Sequence, residues 1–257
     1  MSKVKIQGNA AGTGIFTVAA PATNTDRTIT LPDVDATVLT TAGGTINGSI
    51  GINVAVNTGN TLTLGRVNSV NEGGQVDLCR ASDNASAWGI DVYGDTTTPS
   101  LRIIDNTAAA VRLSVDNAGR VTKPYQPSFL AKSNGSTAYS NNVTIVFQTV
   151  QHNTGSHYNS STGRFTAPVA GKYFFYAQML GDSSGNRTIA YMNINDSGTD
   201  AGQNVEISAY TGAYNSAQGT VIFNLAAGDF VSIKTSGTSA WYGSGSFQNF
   251  FCGYLIG

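Results

Sequence analysis

The stretch Thr162-Gly163-Arg164-Phe165-Thr166-Ala167-Pro168-Val169-Ala170-Gly171-Lys172-Tyr173-Phe174-Phe175-Tyr176 decides the fold class. Thr162-Gly163 supplies a tight turn, Phe165 re-enters a core, and Pro168 ends the short strand between them. Gly171 then reverses the chain into an aromatic strand, Tyr173 to Tyr176. Each of these residues has a place in a two-layered β-structure, and none of them suits a helix.

The same texture extends outward from Ser128 to Gly257. Strand candidates are Val143 to Val150, Gly163 to Thr166, Gly171 to Leu180, Ile189 to Ile194, Gly219 to Leu225, Asp229 to Thr235 and Ser246 to Ile256. Seven antiparallel strands in about 130 residues fit a two-sheet jelly roll. Elsewhere apolar residues alternate over short runs broken by Gly, Asn, Asp and Ser, so the whole chain is expected to be all-β.

The letters add to the pattern. Ile145-Val146-Phe147, Asn153-Thr154-Gly155-Ser156-His157-Tyr158, Thr162 to Pro168 and Gly171 to Phe175 together resemble the signature of the C1q/TNF-like family. Phe129-Leu130-Ala131 resembles its first strand, Gly228-Asp229-Phe230-Val231 its penultimate one and Phe247 to Leu255 its last. The resemblance implies a homotrimer packed around a threefold axis lined by apolar and aromatic side chains. Relatives joined to collagen carry Gly-X-Y repeats; this chain has none, so its stalk must be built differently.

Upstream, three segments separate by texture: an N-terminal attachment segment over 1–44, a β-rich trimeric shaft or small sandwich over 45–123, and the jelly-roll knob over 124–257. The first holds short β-prone runs with too little apolar surface to fold alone. In the second, Gln75 to Arg80, Gly89 to Tyr93, Leu101 to Asp105 and Val111 to Val115 read as four strands of a small sandwich. Asp116-Asn117-Ala118-Gly119 makes a turn, and Lys123-Pro124-Tyr125-Gln126-Pro127 is a Pro-bounded linker. Greasy strand faces without a helix to cover them call for association about a long axis. Thr25 to Asp33 with Thr37-Val38-Leu39 resembles a motif near the start of tailed-phage fibre proteins. Glu72-Gly73-Gly74-Gln75 through Trp88 to Tyr93 resembles a segment of virion structural proteins of marine and cyanobacterial phages.

Composition narrows the function classes. Charged residues make up 11% of the 257-residue chain, where about a quarter is usual. The net charge of -1, with dispersed Lys and Arg, offers no electropositive face for nucleic acid. No apolar run approaches the roughly 20 residues needed to span a bilayer. Met1 to Gly8 lacks the apolar core of a secretion signal, so the chain is expected to be made and kept inside a cell; the phage resemblance implies assembly into a virion in the host cytoplasm. Cys79 and Cys252 are expected to be two small buried apolar side chains.

No pair of carboxylates is marked out as a catalytic couple, so no enzyme and no cofactor are expected. His152 and His157 share one stretch and are read as hydrogen-bonded loop residues; a metal or anion held on the axis is their alternative reading. Receptor-binding candidates are the loop aromatics Tyr210, Tyr214, Trp241 and Tyr242, whose faces beside Asn and Ser suit sugar rings, against the competing reading that they pack in a core or between subunits. The expected function is a homotrimeric phage fibre, docked on other virion proteins through its N-terminus and holding a host surface glycan or protein at its knob. A capsid decoration protein, head fibre or tail adaptor is the alternative.

Overall fold

The computed structural model describes residues 71–83, 85–133, 137–181, 188–197, 204–209, 215–236, 239–241 and 248–257, all within one compact unit, Thr63–Gly257. The expected attachment segment and residues 45–70 of the expected shaft lie outside the described residues. Among the described residues every regular element is a strand.

Strands β1 (Glu72–Cys79), β2 (Ser86–Tyr93), β3 (Ser100–Asp105), β4 (Ala110–Asp116) and β5 (Val121–Thr122) follow one another in a single antiparallel sheet. Carboxylates close its turns. Asp95 accepts the Thr97 and Thr98 amides, each at 2.8 Å, and Asp116 accepts those of Ala118 and Arg120, each at 2.9 Å. The register puts Val76, Ile90, Ile103 and Leu113 in one row and Val92, Leu101, Val115 and Val121 in the next, all on one face. Gln75, Asp91, Arg102 and Ser114 lie on the other. There the Arg102 guanidinium pairs with buried Asp91 and lies 3.9 Å over the Tyr93 ring. The four strands expected to form a small sandwich therefore form one open layer. Consecutive tight turns pair every strand with its neighbour in sequence, and no described residues supply a second layer.

The remaining strands are β6 (Ser128–Lys132), β7 (Thr137–Tyr139), β8 (Thr149–Thr154), β9 (Tyr158–Asn159), β10 (Arg164–Thr166), β11 (Gly171–Leu180), β12 (Thr188–Ile194), β13 (Asn204–Ala209), β14 (Ser216–Leu225), β15 (Phe230–Ser236), β16 (Ser239–Trp241) and β17 (Phe250–Leu255). Ten of them make two five-stranded sheets, β14-β11-β17-β6-β8 and β13-β12-β15-β10-β9, and β16 pairs with β7 in a two-stranded ribbon. Non-consecutive neighbours in both sheets are the jelly-roll pattern.

Between the sheets lies one aromatic core. Phe129 stacks on Tyr158 at 4.8 Å and on Phe165 at 5.0 Å, and meets Phe251 edge-on at 4.8 Å. Such pairs each add about 0.5–1.5 kcal/mol beyond the area they bury. The stretch that decides the fold class works as its letters suggest. Gly163 takes a φ of +71°, a conformation that costs glycine nothing, with its amide bound to the Asn159 carbonyl at 2.9 Å. Phe165 is fully buried and β11 begins at Gly171.

One strand expectation changes. Residues Val143 to Gln148 lie before β8, joined to β15 by an isolated bridge at Thr144 and by bonds such as Ile145 N–H to the Ile233 carbonyl at 2.8 Å. Ile145 and Phe147 still point into the core. The Tyr158 hydroxyl explains how: it lies 3.2 Å from the Phe147 amide and 3.1 Å from its carbonyl, meeting both backbone groups that a ladder would have paired.

Candidate functional site: the outer face of the aromatic sheet

Strand β11 is apolar on both sides. Tyr173, Phe175, Ala177 and Met179 are fully buried in the core, while Phe174, Tyr176 and Leu180 point the other way and are only half-buried, with Gln178 between the last two and exposed Lys172 at the start of the strand. A strand with one solvated face alternates apolar with polar; this one does not. Its neighbours continue the outer surface. Phe174 pairs with Ile222 on β14 and with Tyr254 on β17, and the Phe174 and Tyr254 rings lie 5.3 Å apart. One step along, Tyr176 pairs with Cys252, which pairs with Leu130. The Tyr176 ring also lies 5.3 Å from that of Phe250. Ile222 is 59% exposed and Tyr254 48%, so the patch is bare at its centre.

Polar groups on this face are tied to one another. The Tyr176 hydroxyl lies 2.9 Å from the Gln218 Oε1 and 3.0 Å from the Gln178 Oε1. Burial pushes the Cys252 thiol above its usual range, and burial likewise raises the Tyr176 phenol, so both stay neutral at physiological pH. The face is therefore uncharged at its middle, with Lys132 opposite Phe250 and exposed Lys172 at the start of β11 marking its margins.

The second sheet differs. Arg164 on β10 pairs with Asp196, Lys234 Nζ lies 3.3 Å from the same carboxylate, and the Arg164 guanidinium lies 4.3 Å over the Phe230 ring. Asn195 and Asp196 both take positive φ to reach these partners, and Asn195 donates to Asp229 at 2.6 Å. That bond holds the Asp229 carboxyl below its usual range. An ionic clamp of this kind fixes a turn.

His152 is exposed on β8, opposite Leu130, so it stands on a strand bordering the apolar face and not in a loop. His157 lies beyond it, edge-on to Phe165 at 6.3 Å, beside a groove of about 480 Å³ lined also by Tyr125, Pro127, Val169 and Leu255. Burial lowers its pKa. No group of three or more metal-ligating side chains is found among the described residues. Of the aromatics expected to meet a receptor, Tyr210, Tyr214 and Tyr242 lie outside the described residues, and Trp241 is placed only by its backbone, paired with Thr137. The residues that reading by sequence passed over are Phe174, Tyr176, Ile222, Phe250 and Tyr254. The signal was available in β11, whose two parities are both apolar.

The C1q domain model matches residues 128–256, from the first strand of the jelly roll to its last. The chain belongs to the C1q family. It is 30% identical over 125 residues to complement C1q tumor necrosis factor-related protein 3 of human, and equally to that of mouse. Each alignment covers 47% of this chain and 48% of the relative, so the chain spans about half the length of the curated relatives it matches. Among solved structures, the globular domain of zebrafish complement 1qA is 18% identical with a TM-score of 0.41, covering 51% of this chain and 98% of that one. Eiger TNF from S. frugiperda is 14% identical with a TM-score of 0.42, covering 51% and 91%.

Proposed function

We propose that the chain is a homotrimeric binding protein without catalytic activity, and that its C1q domain is the terminal knob of a phage virion fibre. The apolar outer face of β14-β11-β17-β6-β8 carries this reading. A monomer would leave Ile222, Phe174 and Tyr254 in water, at about 25 cal/mol for each Å² of apolar surface. Two further copies turned about a common axis would cover them. An apolar face without charge at its middle suits a threefold contact, since the groups nearest the axis meet their own symmetry mates. The fibre context is supported by the resemblance of residues 25–39 and 72–93 to phage fibre and virion proteins. In this reading the N-terminal segment docks on other virion proteins and the knob holds a glycan or protein of the host surface. Three knobs per fibre multiply a weak contact by avidity.

The test is binding of the fluorescently labelled full-length chain to cells of the host that carries it, compared with the Phe174→Asp variant. Saturable binding that falls at least tenfold in the variant is expected. Equal binding by both, or release of reducing sugar ends from the host polysaccharide, would overturn the reading. Electron cryo-microscopy of the virion separates tail from capsid placement, and density only at capsid positions would replace the tail fibre by a decoration protein.

A further inference from the structure

The five-stranded sheet β1 to β5 has an apolar face that nothing in the described chain covers. Leu78 is 52% exposed, Trp88 43%, Leu101 48% and Val121 58%, although cross-strand pairing sets them in one continuous surface with Ile90 and Val92. The opposite face is settled: Asp91 is buried against Arg102, and Asn106 donates to Asp77 at 3.1 Å and to Ser86 at 2.6 Å. The layer is therefore amphipathic in the sense of half a sandwich. Five strands about 4.8 Å apart and about six residues long give a face of roughly 400 Å².

We infer that this face is the wall of a second threefold core, shared by the same residues of two other copies. The inference rests on the trimer proposed for the C1q domain. Three observations select identical copies as the occupant. First, the sheet is pinned to the jelly roll: the Leu255 amide bonds the Pro127 carbonyl at 3.0 Å, Gln126 donates to the Leu255 carbonyl, and Arg112 lies 4.4 Å over the Tyr125 ring. A threefold knob therefore carries three such sheets, one held at the base of each copy. Second, the face is free of net charge. Asp105 at its margin, opposite Trp88, is neutralised by Arg112 at 2.7 Å, so identical faces do not repel. Third, three faces supply roughly 1,200 Å² in all, or about 400 Å² per pair of copies, which adds to the interface of the knob and needs it. A two-sheet stack would bury only two of three faces, whereas a three-walled prism uses every copy equally.

The chain has two tryptophans, Trp88 and Trp241, so Trp241→Phe in the full-length chain leaves Trp88 as sole reporter. With mass measured by light scattering on the same sample, a trimer in which acrylamide quenches Trp88 several-fold less than in the urea-unfolded chain is expected. Adding Ile90→Lys, which lines the face without touching the knob, should restore quenching while the mass stays trimeric. A trimer in which Trp88 is quenched as freely as in the unfolded chain overturns the shared core and leaves the knob trimer standing. A monomeric mass removes both.

Discussion

Phe147 is buried without belonging to a strand, and one hydroxyl makes that possible. Removing it with Tyr158→Phe leaves the buried amide and carbonyl of Phe147 without their partner, which costs about 1–3 kcal/mol. A lowered urea midpoint, with an unchanged far-ultraviolet circular dichroism spectrum, is the expected measurement. His157 makes stability depend on pH. Burial sets its folded pKa below the ordinary 6.5, so the unfolded chain takes up the proton first. Its contribution is fully present above about 6.5 and is lost as pH falls through that value toward the folded one. Melting temperature should drop between pH 7.5 and 5.5, and His157→Gln should flatten that part of the profile. The thiols also separate, against the expectation that both are buried: Cys79 is exposed on the edge strand β1, whereas Cys252 on β17 is half-buried with its pKa raised by burial. One thiol per chain should react promptly with a thiol reagent at pH 8, and the second only on unfolding.

Among the elements, β11 and β17 govern both the core and the outer face. Gly253 on β17 leaves room for the Phe175 ring: a Cβ there would lie 2.4 Å from Phe175 Cδ1 and 2.8 Å from the Phe174 carbonyl oxygen. Gly253→Ala should destabilise by about 1–3 kcal/mol, read from the denaturation midpoint. The strands of the jelly roll were legible because each has its own punctuation, as Gly163, Pro168 and Gly171 show. The segment from Val143 to Gln148 misled because its apolar alternation records burial, and burial here comes from a side-chain hydroxyl and scattered backbone bonds instead of a ladder. The run from Gln75 to Val115 gave its strands correctly, yet periodicity along one chain reports which face is greasy and not what covers it. That is why one open sheet and a small sandwich read alike. The candidate site failed to show itself for a related reason: loop aromatics attract notice, whereas Phe174 and Tyr176 look like core until the pleat assigns them to the outside.

At the scale of the whole molecule, two largely apolar surfaces stand exposed within one compact unit, Thr63–Gly257. Family membership and fold rest on residues 128–256; the exposed apolar faces support the proposed assembly. Replacing Phe174 by Asp puts a charge into the proposed axis beside Tyr254 and Ile222, and the buried unpaired carboxylate should dissociate the trimer. The most direct measurement is the mass of the full-length chain by light scattering at micromolar concentration. A trimer predicts three times the 26.7 kDa chain mass, falling toward one chain mass in Phe174→Asp; a wild-type chain that stays at 26.7 kDa would contradict it.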